Sequence, residues 1–363
     1  MTNSVYIHIP FCKNICTYCN FTKFYYNEKQ VINYLEALKR EIKERYKGEV
    51  LKTLYIGGGT PSSLNIKELE KLFDIIKIFK LDKNIEFTIE VNPETIDLEK
   101  LKLFKKNKVN RISMGVESTI NENLNYLGRC HDFTLVKEKI KLIKEVGINN
   151  INVDLIYALK NQSLKDLEID IDNILSLDIA HISTYSLIIE ENTILGIRKE
   201  KNISEDLDSL MYNLISKKLK ENGFCHYEVS NFAKIGYESR HNLVYWNNDY
   251  YYGFGLASAS YIAQERINNT SSLNKYLDGN YFKEIENLDK KDILSYALIL
   301  GFRKINGINK KEFFNKYGLD IKSLYNIKDL IEEGLLNENK DNIYIPYDKI
   351  YIENSILENF VGD

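Results

Sequence analysis

Three cysteines fall within eight residues near the start of the chain, in the run Cys12-Lys-Asn-Ile-Cys16-Thr-Tyr-Cys19, a C-x3-C-x2-C spacing. Thiolates are the ligands that iron–sulfur clusters take, and so short a loop can wrap one cluster. A [4Fe–4S] cubane has four irons and this loop offers three thiolates. The fourth iron is left open, as catalytic zinc sites leave one position for a small ligand. The amino and carboxylate groups of S-adenosylmethionine can fill that position. An electron from the cluster then breaks a carbon–sulfur bond and gives a 5′-deoxyadenosyl radical. That chemistry belongs to the cofactors, and the protein positions them. The competing reading is a zinc loop, which needs a fourth protein ligand close by. His8 is the only local candidate, in the segment that feeds the loop. Cys130 and Cys225 stand alone and read as ordinary thiols.

The elements that must carry this loop alternate. Short apolar runs at 5–9, 53–56, 86–91, 111–115, 152–156 and 181–187 predict strands, and amphipathic stretches at 31–45, 66–78, 98–106, 135–146 and 164–175 predict helices between them. Strand–helix alternation calls for a parallel sheet. Six such units predict an α/β fold with a partial (β/α)6 barrel, with a doubly wound open sheet as the alternative. The cysteines follow the first strand, Gly57 to Pro61 the second, and Glu90 ends the third. In parallel α/β folds these strand ends form the site. After about residue 190 the alternation stops. A helix is predicted at 205–222, a Tyr- and Gly-rich segment at 224–261, and from 289 a helix, strand, two helices and a short strand at 343–346, resembling a small winged-helix module. The domains expected are therefore 1–190 for the partial barrel, 191–288 as a connecting α+β region, and 289–363 as the C-terminal module.

Composition narrows the classes. The 363 residues are 44% hydrophobic, enough for a sizeable core, and the net charge is −3. No basic stretch interleaved with aromatics marks a nucleic-acid surface. No apolar run approaches the ~20 residues that span a bilayer, and the chain opens almost directly on a strand without a signal-peptide pattern. A cytoplasmic protein is expected, where clustered cysteines mean metal or redox chemistry rather than disulfides.

The stretch from Tyr6 through Pro10-Phe11-Cys12 to Tyr18-Cys19 and Phe21 resembles the opening of the oxygen-independent coproporphyrinogen III oxidase family, and within it the heme chaperone HemW branch. The dehydrogenase branch usually has a further Cys where Phe21 stands, and a longer arm than the five residues ahead of Tyr6. The resemblance continues through Gly57-Gly58-Gly59-Thr60-Pro61-Ser62, Ile89-Glu90-Val91-Asn92-Pro93, Leu127-Gly128-Arg129 and Asn152-Val153-Asp154. It extends over Tyr227-Glu228-Val229-Ser230-Asn231 and the H-N-x-x-Y-W run from His241 to Trp246, and ends in a family-like C-terminal domain from Gly307.

The resemblance implies that Cys12, Cys16 and Cys19 bind the cluster and that Tyr6, Gly58 and Glu90 contact the S-adenosylmethionine on it. It implies that Tyr18, Gly59, Thr60, Glu117, Arg129 and Asp154 align with positions holding a second S-adenosylmethionine in the dehydrogenase. No residue is singled out as catalytic. Three positions depart from the family pattern. Glu117 replaces a usual Gln, putting an anion where an amide is expected. The turn Ala158-Leu159-Lys160-Asn161 replaces Gly-Leu-Pro, and Ala259 replaces a His. Of the five histidines, His241 is the candidate heme ligand, with Arg240 and the aromatics of 224–261 around it. The function implied is a heme chaperone that delivers heme to client hemoproteins. The alternatives are oxidative decarboxylation of coproporphyrinogen III, which is not expected here, and a related radical methyltransferase. The partners implied are heme, S-adenosylmethionine, an electron donor such as flavodoxin or ferredoxin, and a client. A homodimer and a peripheral membrane contact stay open, and nucleic acid is not expected.

Overall fold

The structure is a computed structural model that describes residues 2–324 and 326–361; the outermost domain bounds, residues 1 and 363, lie outside the described residues. Six strands follow the expected order: β1 (Ser4–Ile9), β2 (Val50–Gly58), β3 (Lys80–Val91), β4 (Arg111–Glu117), β5 (Asn150–Tyr157) and β6 (His181–Ser186). Each pairs in parallel with the next. Their side chains are buried almost without interruption, as strands covered on both faces require. Val5, Ile7, Leu54, Ile56, Phe87, Ile89, Ile112, Met114, Ile151 and Val153 form the inner layer of the core.

The connecting helices are α1 (Glu28–Arg45), α2 (Ile66–Ile76), α3 (Leu98–Lys106), α4 (Asn121–Leu127), α5 (Phe133–Glu145) and α6 (Leu164–Leu175). Most start where a polar side chain can take up orphan N–H groups. Asn27, Asp97 and Asp132 cap α1, α3 and α5. Asn65 with Glu68, and Ser163 with Asp166, form capping boxes on α2 and α6. These caps fix where each helix leaves its strand end, and so fix the loops at the mouth.

The region after residue 190 does more than connect. A long helix, α7 (Glu205–Glu221), leads to β7 (Cys225–Glu228) and β8 (Asn231–Ala233), which add antiparallel to β6. The H-N-x-x-Y-W run forms α8 (Arg240–Trp246), and β9 (Tyr252–Phe254) then pairs in parallel with the opposite edge, against Val5 to Ile7. The sheet thus has nine strands in the order β9-β1-β2-β3-β4-β5-β6-β8-β7. A three-stranded antiparallel sheet follows, of β10 (Ala259–Ile262), β11 (Glu265–Asn269) and β12 (Phe282–Asn287). The C-terminal part runs α9 (Lys290–Gly301), β13 (Ile308–Asn309), α10 (Lys310–Tyr317), α11 (Ile327–Glu332), β14 (Asn337–Glu338) and β15 (Asn342–Tyr344). Helix, strand, two helices and a hairpin is a winged-helix order.

Candidate functional site

The cysteine loop leaves β1 and is pinned to the far end of α4. Thr17 donates from its backbone to the Leu127 carbonyl at 3.0 Å and from its hydroxyl to the Tyr126 carbonyl at 2.8 Å. Asn14 donates to the Gly128 carbonyl at 2.6 Å. Gly128 ends α4 in the left-handed region at φ 72°, a conformation that favours glycine, and this turn sends Arg129 back toward the cysteines. Arg129 donates to the Gly115 carbonyl at 2.6 Å, to Asn92 at 3.0 Å and toward the Cys16 sulfur at 3.3 Å. The Leu127-Gly128-Arg129 motif is therefore the clamp that ties the loop to β3 and β4.

The glycines between β2 and α2 give room. A Cβ on Gly57 would lie 2.6 Å from the Glu90 carboxylate. One on Gly59 would lie 2.9 Å from the backbone of Phe11 and 3.0 Å from the Cys12 sulfur. Glu90 accepts hydrogen bonds from the Tyr55 hydroxyl at 2.8 Å and the Gly58 N–H at 2.9 Å.

These groups line one cavity of about 520 Å³ at the C-terminal ends of the strands. Cys12, Cys16 and Cys19 sit on one side with Tyr18, Gly58, Gly59 and Thr60, and Glu90, Glu117, Arg129 and Asp154 lie across from them. Among the described residues no three His, Cys, Asp or Glu side chains draw together tightly enough to enclose one metal ion. The three thiols edge a wide space instead, next to a glycine turn that keeps Cys12 accessible from the cavity, an arrangement that fits a multi-iron cluster. Burial pushes the Cys12 thiol up to about 11 and raises Cys19 as well, so binding metal there releases protons.

The cavity holds charges taken out of water. Burial pushes the Glu90 carboxyl up to about 7, against the pull of Tyr55 and Gly58. Burial also pushes Glu117 up to about 7, although Arg129 opposes it from 4.0 Å. This corrects the expectation of a fixed anion at Glu117. Near neutral pH its carboxyl is protonated much of the time and can donate a hydrogen bond as the usual amide would. Glu117 also holds a left-handed backbone at φ 67°, strain of the sort that gathers at functional sites. Asp154 is raised by burial too, and accepts from Asn152 at 2.8 Å.

Two lining residues were not foreseen. Tyr55 orients Glu90. Arg111 opens β4, is 2% exposed, and its Nε has no hydrogen-bond partner; its charge lowers both Glu90 and Asp154. An arginine inside an otherwise apolar buried strand was the available signal.

Comparison with known proteins gives the family. The Radical SAM superfamily profile matches residues 6–174, and the HemN C-terminal domain profile matches residues 288–346. The heme chaperone HemW of Bacillus subtilis (strain 168) is 37% identical over 99% of both chains. That of Lactococcus lactis subsp. lactis (strain IL1403) is 37% identical over 99% of this chain and 98% of its own. The chain belongs to the HemW family. The structure of coproporphyrinogen III oxidase (HemN) from Escherichia coli shares the fold, with a TM-score of 0.86 and 22% identity over 99% of this chain and 90% of that one.

Two residues carried over by resemblance lie elsewhere in this HemW-family chain. Tyr6 faces a second cavity, of about 650 Å³, with Tyr245, Trp246, Tyr251, Arg266 and Ala259; it meets the first site only through its ring against Tyr55, 6.0 Å between centroids. His241 lines neither cavity. It is 1% exposed, with Nδ1 2.8 Å from the Thr53 hydroxyl and Nε2 2.8 Å from the Tyr245 hydroxyl. Burial pushes its imidazole down to about 3. Neither nitrogen is open to iron, so in this structure His241 locks α8 against β2 and is not an axial ligand. The other histidines are held as well. His8 bonds Tyr6 and the Thr22 carbonyl, His181 bonds Asn152 and Tyr227, and His226 bonds Tyr347 and the Val229 carbonyl. His131 bonds the Val116 carbonyl and turns Nδ1 toward Glu94 at 3.6 Å.

Proposed function

We propose that this chain is a heme chaperone: it binds heme, carries a [4Fe–4S] cluster with S-adenosylmethionine in the first cavity, and delivers heme to a client protein. The observation that carries this reading is end-to-end similarity, at 37% identity, to proteins named heme chaperone HemW. The likeness to coproporphyrinogen III oxidase is one of fold, at 22% identity. In this reading Cys12, Cys16 and Cys19 hold the cluster, which when bound supplies an electron to S-adenosylmethionine. Gly58 lets the cofactor approach, and Glu90 accepts from its ammonium or ribose. Tyr18, Gly59, Thr60, Glu117, Arg129 and Asp154 could hold a second copy. The mixed charges of that wall, two arginines among three carboxyls, suit a zwitterionic ligand. Tyr6 acts indirectly, through Tyr55.

The reading also takes the chain as cytoplasmic, served by a flavodoxin- or ferredoxin-type donor, with a client hemoprotein as acceptor. It keeps the division at residues 190 and 288. Exposed Ile188 on the cavity rim and Ile197 nearby in sequence, 66% and 72% exposed, are apolar contacts a partner, a second copy or a membrane surface could cover. The test offers hemin and coproporphyrinogen III side by side to anaerobically reconstituted protein with S-adenosylmethionine and a reductant. Heme binding without decarboxylation is expected. Accumulation of the divinyl product would replace this reading with the dehydrogenase one.

A further inference from the structure

The second cavity has the walls of a site for a flat aromatic ligand. Tyr6, Tyr245, Trp246 and Tyr251 line it, Phe21 stands 65% exposed at its edge, and Ala257, Ser258 and Ala259 are small enough to leave about 650 Å³ open. That volume lies within the range of cofactor-sized pockets. It adjoins the cluster cavity, since Asn20 and Phe21 border both. No cysteine or methionine lines it, and all five histidines are engaged as described above. A protein ligand to heme iron there must then be an oxygen donor, and phenolate is an established one.

Three tyrosines line the cavity, and two have their hydroxyls committed: Tyr6 to His8 at 3.0 Å and Tyr245 to His241 at 2.8 Å. Asp249 is paired with Lys316 at 2.6 Å. Tyr251 remains. Its backbone is fixed by a reciprocal pair of hydrogen bonds with Tyr261, at 2.9 and 3.0 Å, and its ring stands edge-on to Tyr245, 4.6 Å between centroids. Beside it Arg266 is held by Asn248 at 3.2 Å and lies over the rings of Tyr261 and Tyr296, with its Nε unpartnered. Resting on the heme-chaperone reading, the geometry points to Tyr251 as the axial ligand of ferric heme in this cavity, with Arg266 as its supporting cation. Burial pushes the Tyr251 phenol up, and Arg266 opposes that by charge and hydrogen bonding. On coordination the phenol proton leaves to solvent, an iron–oxygen bond forms, and the guanidinium stabilises the phenolate.

The experiment titrates the full-length protein with hemin and follows absorption and resonance Raman spectra. Wild type should show phenolate-to-iron charge transfer and phenolate modes. Tyr251→Phe should lose both, with affinity down about tenfold or more, and Arg266→Gln should weaken binding in the same direction. Tyr251→His should exchange the phenolate signature for an imidazole one, which also covers the case of a poorly folding Phe variant. If Tyr251→Phe keeps the wild-type spectrum and affinity, the ligand assignment is overturned while heme binding stands. If wild type binds no hemin, the assignment and the heme reading fall together.

Discussion

Gly57 has an ordinary backbone, so replacing it with alanine adds one methyl group and no conformational strain. That methyl would sit 2.6, 2.7 and 2.8 Å from the three carboxyl atoms of Glu90. Ordinary contact begins near ~3.5 Å, so the carboxylate must move by roughly 1 Å. Its hydrogen bonds from Tyr55 and Gly58, 2.8 and 2.9 Å long, cannot both survive. Glu90 sits on a flexible side chain, so it can swing into the cavity and the fold is spared. The loss falls instead on whatever Glu90 was placed to bind. A hydrogen bond to a charged group is worth about 1.5–3 kcal/mol, which is roughly 10- to 100-fold in affinity. Gly57→Ala should therefore weaken S-adenosylmethionine binding by about that factor, measured by equilibrium dialysis on reconstituted protein, while iron content and melting temperature stay near wild type. Gly59→Ala should do the opposite, lowering iron content, because its methyl meets the Phe11 backbone and the Cys12 sulfur. The decisive control is the double variant. With Glu90→Ala already present, adding Gly57→Ala should cost nothing further, since both act through one carboxylate. Equal losses in the two backgrounds would show that the methyl acts by another route and would remove Glu90 from the binding site.

Stability should fall with rising pH in the neutral range. Burial pushes Glu228 up to about 7 and Glu353 up to about 8, the latter despite Arg303 at 2.9 Å. Both folded values lie above the ordinary 4.5. Their contribution is therefore full below that value and is lost as pH rises through 7 to 8. From pH 6.5 upward the buried imidazoles are neutral in both states, so thermal melts between pH 6.5 and 8.5 should lose roughly 1 kcal/mol per pH unit, and Glu353→Gln should flatten the slope; a rising or unchanged curve in wild type would refute this. The β10–β11 hairpin turns on Ala263 and Gln264, at φ 50° and 70°, both exposed. A turn with both central residues at positive φ favours Asn-Gly, so Ala263→Asn with Gln264→Gly should add about 1 kcal/mol and raise the melting temperature by about 1–2 °C. A lower melting temperature would mean the turn is not the two-residue type.

The six central strands were legible because burial on both faces makes each an unbroken apolar run that ends at a polar or glycine signal, as Ile89 to Asn92 does. The edge strands β7, β8 and β9 were not. They are three or four residues long and carry His226, Glu228, Asn231 and Gly253, residues that read as loop. Gly253 shows what the sequence hides. A Cβ there would lie 1.9 Å from the Ala259 carbonyl, so a residue that looks like a break is required where β10 crosses β9. The same gap separates the cluster loop from the histidines. Cysteine spacing encodes its chemistry locally, because one loop supplies every thiolate. A ligand histidine is defined by what leaves its nitrogens free, and that depends on distant chain. Thr53, on a strand 188 residues away, takes one nitrogen of His241. Its other partner was within reach of the sequence, since Tyr245 lies four residues on along the same helix, the spacing at which side chains meet. Pairing at that spacing weighs against ligation, and it leaves the aromatic cavity to be served by the tyrosine that no histidine holds.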